Sequence, residues 1–168
     1  MRIRVLDILH QTMADGPGLR TSIYCAGCAH HCPGCHNPQS WDFGAGEWME
    51  VKDILDIVKA DTIANVSFSG GDPLYQVEAF TELARRIKEE TGKTIWCWTG
   101  FTLDEVQADP RLSQILPWID VLVDGPFVLE QRDTSLLFRG SANQRICYIH
   151  GTPPEERIPG TVELEPLK

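Results

Sequence analysis

Thr62-Ile63-Ala64-Asn65-Val66-Ser67-Phe68-Ser69-Gly70-Gly71-Asp72-Pro73 is the stretch on which the fold turns. Its first seven residues favour extended backbone and run directly into a glycine turn, so the spacing predicts a strand ending at Ser69. Beyond the turn, Asp72 suits a helix N-cap and Pro73 the first helical position, while the two glycines permit positive φ. Upstream, Val51, Ile54, Leu55, Ile57 and Val58 fall on one helical face. Downstream, Val77, Phe80, Leu83, Ala84 and Ile87 form a second stripe that stops at Thr91-Gly92, where glycine can cap the C-terminus. Helix, strand, turn and helix in this order make a βα repeat.

The alternation continues through a strand-like run at Thr94-Ile95-Trp96-Cys97-Trp98-Thr99 and a helical stretch carrying Leu103, Val106, Leu112, Ile115 and Leu116. It ends with Ile119-Asp120-Val121-Leu122-Val123, closed by Asp124-Gly125-Pro126. Before the first helix, Leu19-Arg20-Thr21-Ser22-Ile23-Tyr24 reads as another strand. Strands separated by helices imply a parallel sheet. A complete eight-fold barrel takes about 250 residues, and this chain has 168. The expected fold is therefore α/β, an open partial (β/α) barrel of minimal size. One domain is expected over residues 1–150, with an irregular tail over 151–168, where Pro153, Pro154, Pro159 and Pro166 stand among charges. Ligands of parallel α/β folds bind at the carboxyl ends of the strands. The sequences expected there are a cysteine loop, Ser69 to Pro73, Trp98-Thr99-Gly100 and Asp124-Gly125-Pro126.

The cysteine loop, Cys25-Ala26-Gly27-Cys28-Ala29-His30-His31-Cys32-Pro33-Gly34-Cys35, holds four of the six cysteines and contains a C-x3-C-x2-C triplet at 28, 32 and 35. Three thiolates from one short loop can hold three corners of an iron-sulfur cube and leave the fourth iron open. Two other readings compete. A disulfide knot needs an oxidising compartment, whereas Met1-Arg2-Ile3-Arg4-Val5 lacks the apolar core of a signal peptide; a cytoplasmic protein with free thiols is expected. A structural zinc site on Cys25, Cys28, Cys32 and Cys35 would normally separate its two pairs by about a dozen residues or more, but only three intervene. Cys25 also closes a strand, which points it into the core, and Cys97 and Cys147 lie in apolar runs. His30, His31 and His36 are expected to be polar loop or cofactor-contact residues rather than ligands. The five tryptophans are expected mainly in the core.

Composition narrows the partners. A net charge of −9 leaves no basic stripe for phosphates, which disfavours nucleic acid, and no apolar stretch reaches 18 residues, which disfavours a membrane span. At the Gly-Gly turn, backbone can approach a ligand closely, and carbonyls beside a carboxylate form an acceptor-only corner suited to an ammonium group.

The triplet together with Gly70-Gly71-Asp72-Pro73 resembles the signature of radical S-adenosylmethionine enzymes. Further motifs are Asp15-Gly16-Pro17-Gly18-Leu19-Arg20, Cys32-Pro33-Gly34-Cys35-His36-Asn37, Trp98-Thr99-Gly100, Val123-Asp124-Gly125 and Arg139-Gly140-Ser141-Ala142-Asn143-Gln144. In combination they resemble the glycyl-radical activases of anaerobic (class III) ribonucleoside-triphosphate reductase. The resemblance implies a [4Fe-4S] cluster on Cys28, Cys32 and Cys35, with S-adenosylmethionine chelating the open iron. Reductive cleavage would give methionine and a 5′-deoxyadenosyl radical, which takes hydrogen from a glycine of the reductase. The implied partners are that reductase and a low-potential electron donor such as flavodoxin or ferredoxin. Gly34, Cys35 and His36 would face adenine; Gly70 and Gly71, with Asp72 nearby, would receive the methionine ammonium, with Ser69 in the same cofactor-binding turn. Thr99 and Asp124 are candidates for ribose or cation contacts, with a strand-end turn role as the alternative. Arg20 and Arg139 would meet a ligand carboxylate or form ordinary ion pairs. Gly34 stands where many members of the superfamily carry an aromatic residue. Other readings are a radical enzyme acting on a small molecule or another glycyl-radical enzyme, and a non-enzymatic zinc or iron-sulfur module. No ferredoxin-like insert lies between Cys35 and Val51, which argues against the commonest other activases.

Overall fold

Seven strands, β1 (Arg2–Thr12), β2 (Arg20–Cys25), β3 (Glu47–Glu50), β4 (Asn65–Gly70), β5 (Ile95–Trp98), β6 (Val121–Asp124) and β7 (Arg145–Tyr148), form one sheet in the order β3-β1-β2-β4-β5-β6-β7. The computed structural model describes residues 1–149, Glu156 and Ile158. The centre, β2-β4-β5-β6, is parallel throughout, as the βα repeat requires. Antiparallel strands flank it on both sides: β1 and β3 next to β2, and β7 next to β6. The fold is thus mixed α/β.

Helices α1 (Val51–Ala60), α2 (Val77–Thr91) and α3 (Leu103–Ala108) alternate with the central strands. Side chains alternate across a strand, so Ile23, Val66, Phe68, Ile95 and Leu122 meet the helices in the main core, while Trp96, Val121, Val123, Ile146 and Tyr148 cluster on the other face. Val77, Phe80, Leu83 and Ile87 of α2 are fully buried, which contributes roughly 6–12 kcal/mol against solvent exposure. Gly92 ends α2 at φ +70, the left-handed cap expected from the sequence.

Several local expectations shift. The strand begins at Asn65 rather than Thr62, because Asp61 Oδ1 accepts from the Ile63 and Ala64 N–H groups (2.8 and 2.9 Å) and bends the chain first. Asp72 caps a 3-10 turn, Pro73–Gln76, before α2 starts. The stretch from Leu103 to Leu116 divides into α3 and a 3-10 segment, Leu112–Trp118, since Pro110 pushes Asp109 out of helical backbone (φ −103, ψ 113). Trp96 is wholly buried as expected, but Trp48 is 51% exposed on the edge strand β3, beneath the guanidinium groups of Arg2 and Arg4. Cys25, Cys97 and Cys147 are fully buried.

Arg20 is also fully buried, and its chemistry is internal. It donates to Ser67 Oγ, Pro17 O, Val66 O and Thr94, and forms an ion pair with Glu156 at 2.8 Å. Its guanidinium therefore serves the sheet rather than a ligand carboxylate. Glu156 and Ile158 belong to the expected irregular tail; Ile158 N–H donates to the Tyr148 hydroxyl. The other tail residues lie outside the described ones. Among the described residues no helix is long and apolar enough to cross a membrane.

Candidate functional site at the strand ends

The parallel strands β2, β4, β5 and β6 end side by side, so the cysteine loop, Gly70-Gly71-Asp72, Thr99-Gly100 and Asp124-Gly125 share one rim. The cysteine loop is laid across the glycine turn by backbone bonds. Gly71 N–H donates to Cys25 O (2.7 Å) and Asp72 N–H to Gly27 O (2.9 Å). This approach is why two glycines are needed: Gly70 has φ +106, and a Cβ on Gly71 would lie 2.5 Å from Gly27 O. The far side of the loop is held by Gly27 N–H on Ser40 O and Cys28 N–H on Trp41 O.

Asp72 is the junction. Its Oδ1 accepts from Leu74 N–H (2.9 Å), while Oδ2 accepts from the Thr99 hydroxyl and Gly100 N–H (both 2.9 Å) and lies 2.7 Å from His30 Nε2. One buried carboxylate thus joins the cysteine loop to the ends of β4 and β5. His30 is positioned further by the rings of Tyr75 and Phe101, at 5.3 and 4.6 Å. It anchors the loop, in keeping with the polar loop role expected of it, but its partner, 42 residues away, could not be read from the sequence. His31 stacks on Trp41, and His36 meets the Phe127 ring edge-on at 5.3 Å.

All six cysteines are free thiols. Cys28 is 8% exposed, whereas Cys32 and Cys35 are half-buried. Burial pushes the Cys28 thiol up to about 11, with a weaker push from the charges of Asp72, Cys32 and Cys35. Burial drives Cys25 well above the ordinary thiol range in its fully enclosed position. Among the described residues, no three His, Cys, Asp or Glu side chains converge as the ligands of a single ion would. The Asn37 N–H points at Cys35 Sγ (3.4 Å), the kind of hydrogen bond that tunes cluster sulfurs. Three soft donors on one partly open loop fit a cluster in which three irons each take one thiolate and the fourth takes none.

Beside this loop the rim encloses a cleft of about 230 Å³. Cys35, His36, Ser69, Gly70, Gly71 and Thr99 line it, together with Asn37, Trp98, Gly100, Gly125, Phe127, Phe138, Gly140 and Gln144. Gly34, Asp72 and Asp124 do not. Gly34 packs toward Leu129 and Phe127 behind the wall, and Asp72 lies beneath the floor with its oxygens engaged. Asp124 receives Leu103 N–H (2.7 Å) and an Arg145 ion pair (2.6 Å), tying β6 to α3 and β7. In the Arg139 to Gln144 motif, Gln144 Oε1 accepts from Gly140 N–H (2.7 Å) and Gln144 Nε2 donates to Gly125 O (3.1 Å), so the motif clasps the loop after β6. Arg139 itself reaches Gln144 O at 3.3 Å.

A central parallel sheet with a triplet of thiols at its strand ends defines a single-cluster iron-sulfur domain, and a family described as "4Fe-4S single cluster domain" matches residues 14–147. Among relatives, the anaerobic ribonucleoside-triphosphate reductase-activating protein of Haemophilus influenzae is 44% identical over 141 residues, 79% of this chain and 89% of the relative. The protein of that name from Escherichia coli K12 is 41% identical over 147 residues, 82% of this chain and 93% of its own. That of Enterobacteria phage T4 is 32% identical over 138 residues, covering 79% and 85%. The chain belongs to the family of anaerobic ribonucleoside-triphosphate reductase-activating proteins.

Proposed function

We propose that this enzyme generates the glycyl radical of the anaerobic ribonucleoside-triphosphate reductase, with Cys28, Cys32 and Cys35 holding the [4Fe-4S] cluster and the cleft holding S-adenosylmethionine. The carrying observation is the adjacency of the thiol triplet and the cleft, which share Cys35 and meet across the Gly70-Gly71 turn. When bound on Cys28, Cys32 and Cys35, the cluster would supply the electron for reductive cleavage of the sulfonium, the chemistry by which hydrogen would be removed from a reductase glycine.

The chain's own residues bind, orient and shield. Asp72 and His30 hold the cysteine loop at a fixed distance from the ends of β4 and β5. Ser69 and the Gly70 and Gly71 backbone present a narrow polar edge for an ammonium group, while His36 and Thr99 flank it. Trp98, Phe127 and Phe138 make the opposite wall apolar, which excludes water. The sheet is read as an open partial barrel whose mouth is this rim, in a domain over residues 1–150. A cytoplasmic setting with flavodoxin or ferredoxin as the donor suits the free thiols.

Anaerobic reconstitution with iron and sulfide, followed by reduction in the presence of S-adenosylmethionine, tests the reading. A [4Fe-4S] spectrum, release of methionine and 5′-deoxyadenosine, and a glycyl electron-spin resonance signal on added reductase are expected. Cleavage without that signal would transfer the activity to a different substrate, and failure of cleavage by the loaded, reduced protein would end the radical reading altogether.

A further inference from the structure

Besides the His36 imidazole, three aromatic side chains line the cleft, and two of them are committed elsewhere. Trp98 and Phe138 pack on Trp96, at 5.8 Å each, as part of the cluster on the helix-free face. Phe127 belongs to neither hydrophobic cluster of the sheet. Its ring is nevertheless tightly placed, because glycines abut both of its edges. A Cβ on Gly34 would lie 3.4 Å from Phe127 Cε1 and 2.8 Å from Leu129 Cδ1, and Gly34 has φ +78. On the other edge, a Cβ on Gly140 would lie 2.9 Å from Phe127 Cδ2. Those two glycines come from different motifs, one in the cysteine loop and one in the clasp before β7.

The backbone carrying Phe127 is equally fixed. Gly125 N–H donates to Phe101 O (2.8 Å), Asn143 Nδ2 to Pro126 O (2.8 Å), and Val128 N–H to Ser141 Oγ (3.2 Å). Phe127, placed by these glycine contacts and by the His36 ring at 5.3 Å, is already ordered and loses little entropy on binding a planar group. The position preceding the last cysteine carries no side chain, so the cysteine loop has no aromatic platform of its own; the loop after β6 fills that space.

We propose that Phe127 is the surface against which the adenine ring of S-adenosylmethionine packs, with Gly34 and Gly140 left bare to admit the phenyl ring. This rests on the reading of the cleft given above. It assigns a binding role to a residue outside the cysteine and glycine motifs.

The test uses the reconstituted holoprotein under anaerobic conditions with the cluster oxidised, so that no turnover occurs. Equilibrium dialysis measures two probes: S-adenosylmethionine, and methionine, which has the same amino-acid end without adenine. Phe127→Ala is expected to weaken S-adenosylmethionine about tenfold, toward the low end of what losing an aromatic platform under a base costs. Phe127→Tyr should stay within about twofold, methionine should bind all variants alike, and Leu137→Ala, on the exposed part of the same loop, should match the parent. Iron content and melting temperature report folding; if Phe127→Ala loses its cluster, Phe127→Leu keeps apolar bulk without a planar face and should weaken S-adenosylmethionine alone. An unchanged affinity in Phe127→Ala, or equal weakening of both probes, overturns the assignment. Failure of the parent protein to bind S-adenosylmethionine removes the underlying reading instead, and this inference with it.

Discussion

Replacing Asp72 by asparagine keeps the shape of the side chain and isolates its hydrogen-bonding role. In the native protein both oxygens face backbone donors, Leu74 N–H at Oδ1 and Gly100 N–H at Oδ2, each at 2.9 Å. An amide has one accepting oxygen and one donating nitrogen, so in either orientation its NH2 group confronts a backbone N–H that cannot reverse. The Thr99 hydroxyl can rotate and His30 can change tautomer, but neither backbone donor has an alternative. Orphaning one buried donor costs about 1–3 kcal/mol, and loss of charge assistance in the remaining bonds adds about 1–2 kcal/mol. The sum, about 2–5 kcal/mol, corresponds to a fall in melting temperature on the order of 10 °C for a domain of this size. Asp72→Ala should be no worse, since the space it leaves admits water to the stranded N–H groups. Thermal melting by circular dichroism of the cluster-free protein measures this, and iron bound after reconstitution reports whether the cysteine loop still seats. An Asp72→Asn protein melting within about 2 °C of the parent, with full iron content, would show that Asp72 is not the junction.

Three further outcomes are expected. Glu156→Ala leaves the Arg20 guanidinium buried without its ion-pair partner (2.8 Å) and should lower stability by about 3–5 kcal/mol, read by denaturant unfolding; a change below about 1 kcal/mol would mean that Glu156 is not docked. Cys25→Ala should keep the full iron content at a cost of about 1 kcal/mol, whereas alanine at Cys28, Cys32 or Cys35 should abolish cluster assembly; iron loss in Cys25→Ala equal to theirs would admit a fourth thiolate. In the cluster-free protein, alkylation of Cys28 followed by mass spectrometry should accelerate about tenfold per pH unit from pH 7 to 10, because its thiol is pushed to about 11 and only the thiolate reacts; a plateau below pH 9 would contradict that burial.

The parallel centre was legible because its signal is local: apolar period, glycine turn and helical stripe follow one another between Val51 and Ile87 without interruption. The antiparallel flanks were not. The pairing of β1 with β2 shifts register between Val5 and Asp7 and again between Leu9 and Thr12, which breaks the alternation that a strand reading needs. The edge strand β3 reads Glu-Trp-Met-Glu, mostly exposed, and carries no core signature. In the site, the thiol triplet and the Gly-Gly turn could be read from spacing. The contacts of His30 with Asp72, of Phe127 with Gly34 and Gly140, and of Arg20 with Glu156 could not, since each joins segments that only the folded chain brings together.

The two strand-end aspartates show how the rim divides its labour. Asp72 has four neighbouring donors and Asp124 has the Leu103 and Arg145 N–H groups with the Arg145 guanidinium, so each carboxylate is saturated by protein. Each also links its own strand to the next segment of the rim: Asp72 joins β4 to the cysteine loop and β5, and Asp124 joins β6 to α3 and β7. A carboxylate engaged in this way has little accepting capacity left for a ligand, and moving it would strand several donors at once. Under the proposed function, ligand recognition in the cleft would fall to groups that remain at its surface, chiefly the backbone of Gly70 and Gly71, Ser69, Thr99 and the aromatic wall. Buried acids fix the frame and, under the proposed function, uncharged groups would face the cofactor, so that a positively charged sulfonium and ammonium would enter a cleft whose negative charge lies beneath the floor rather than in direct contact.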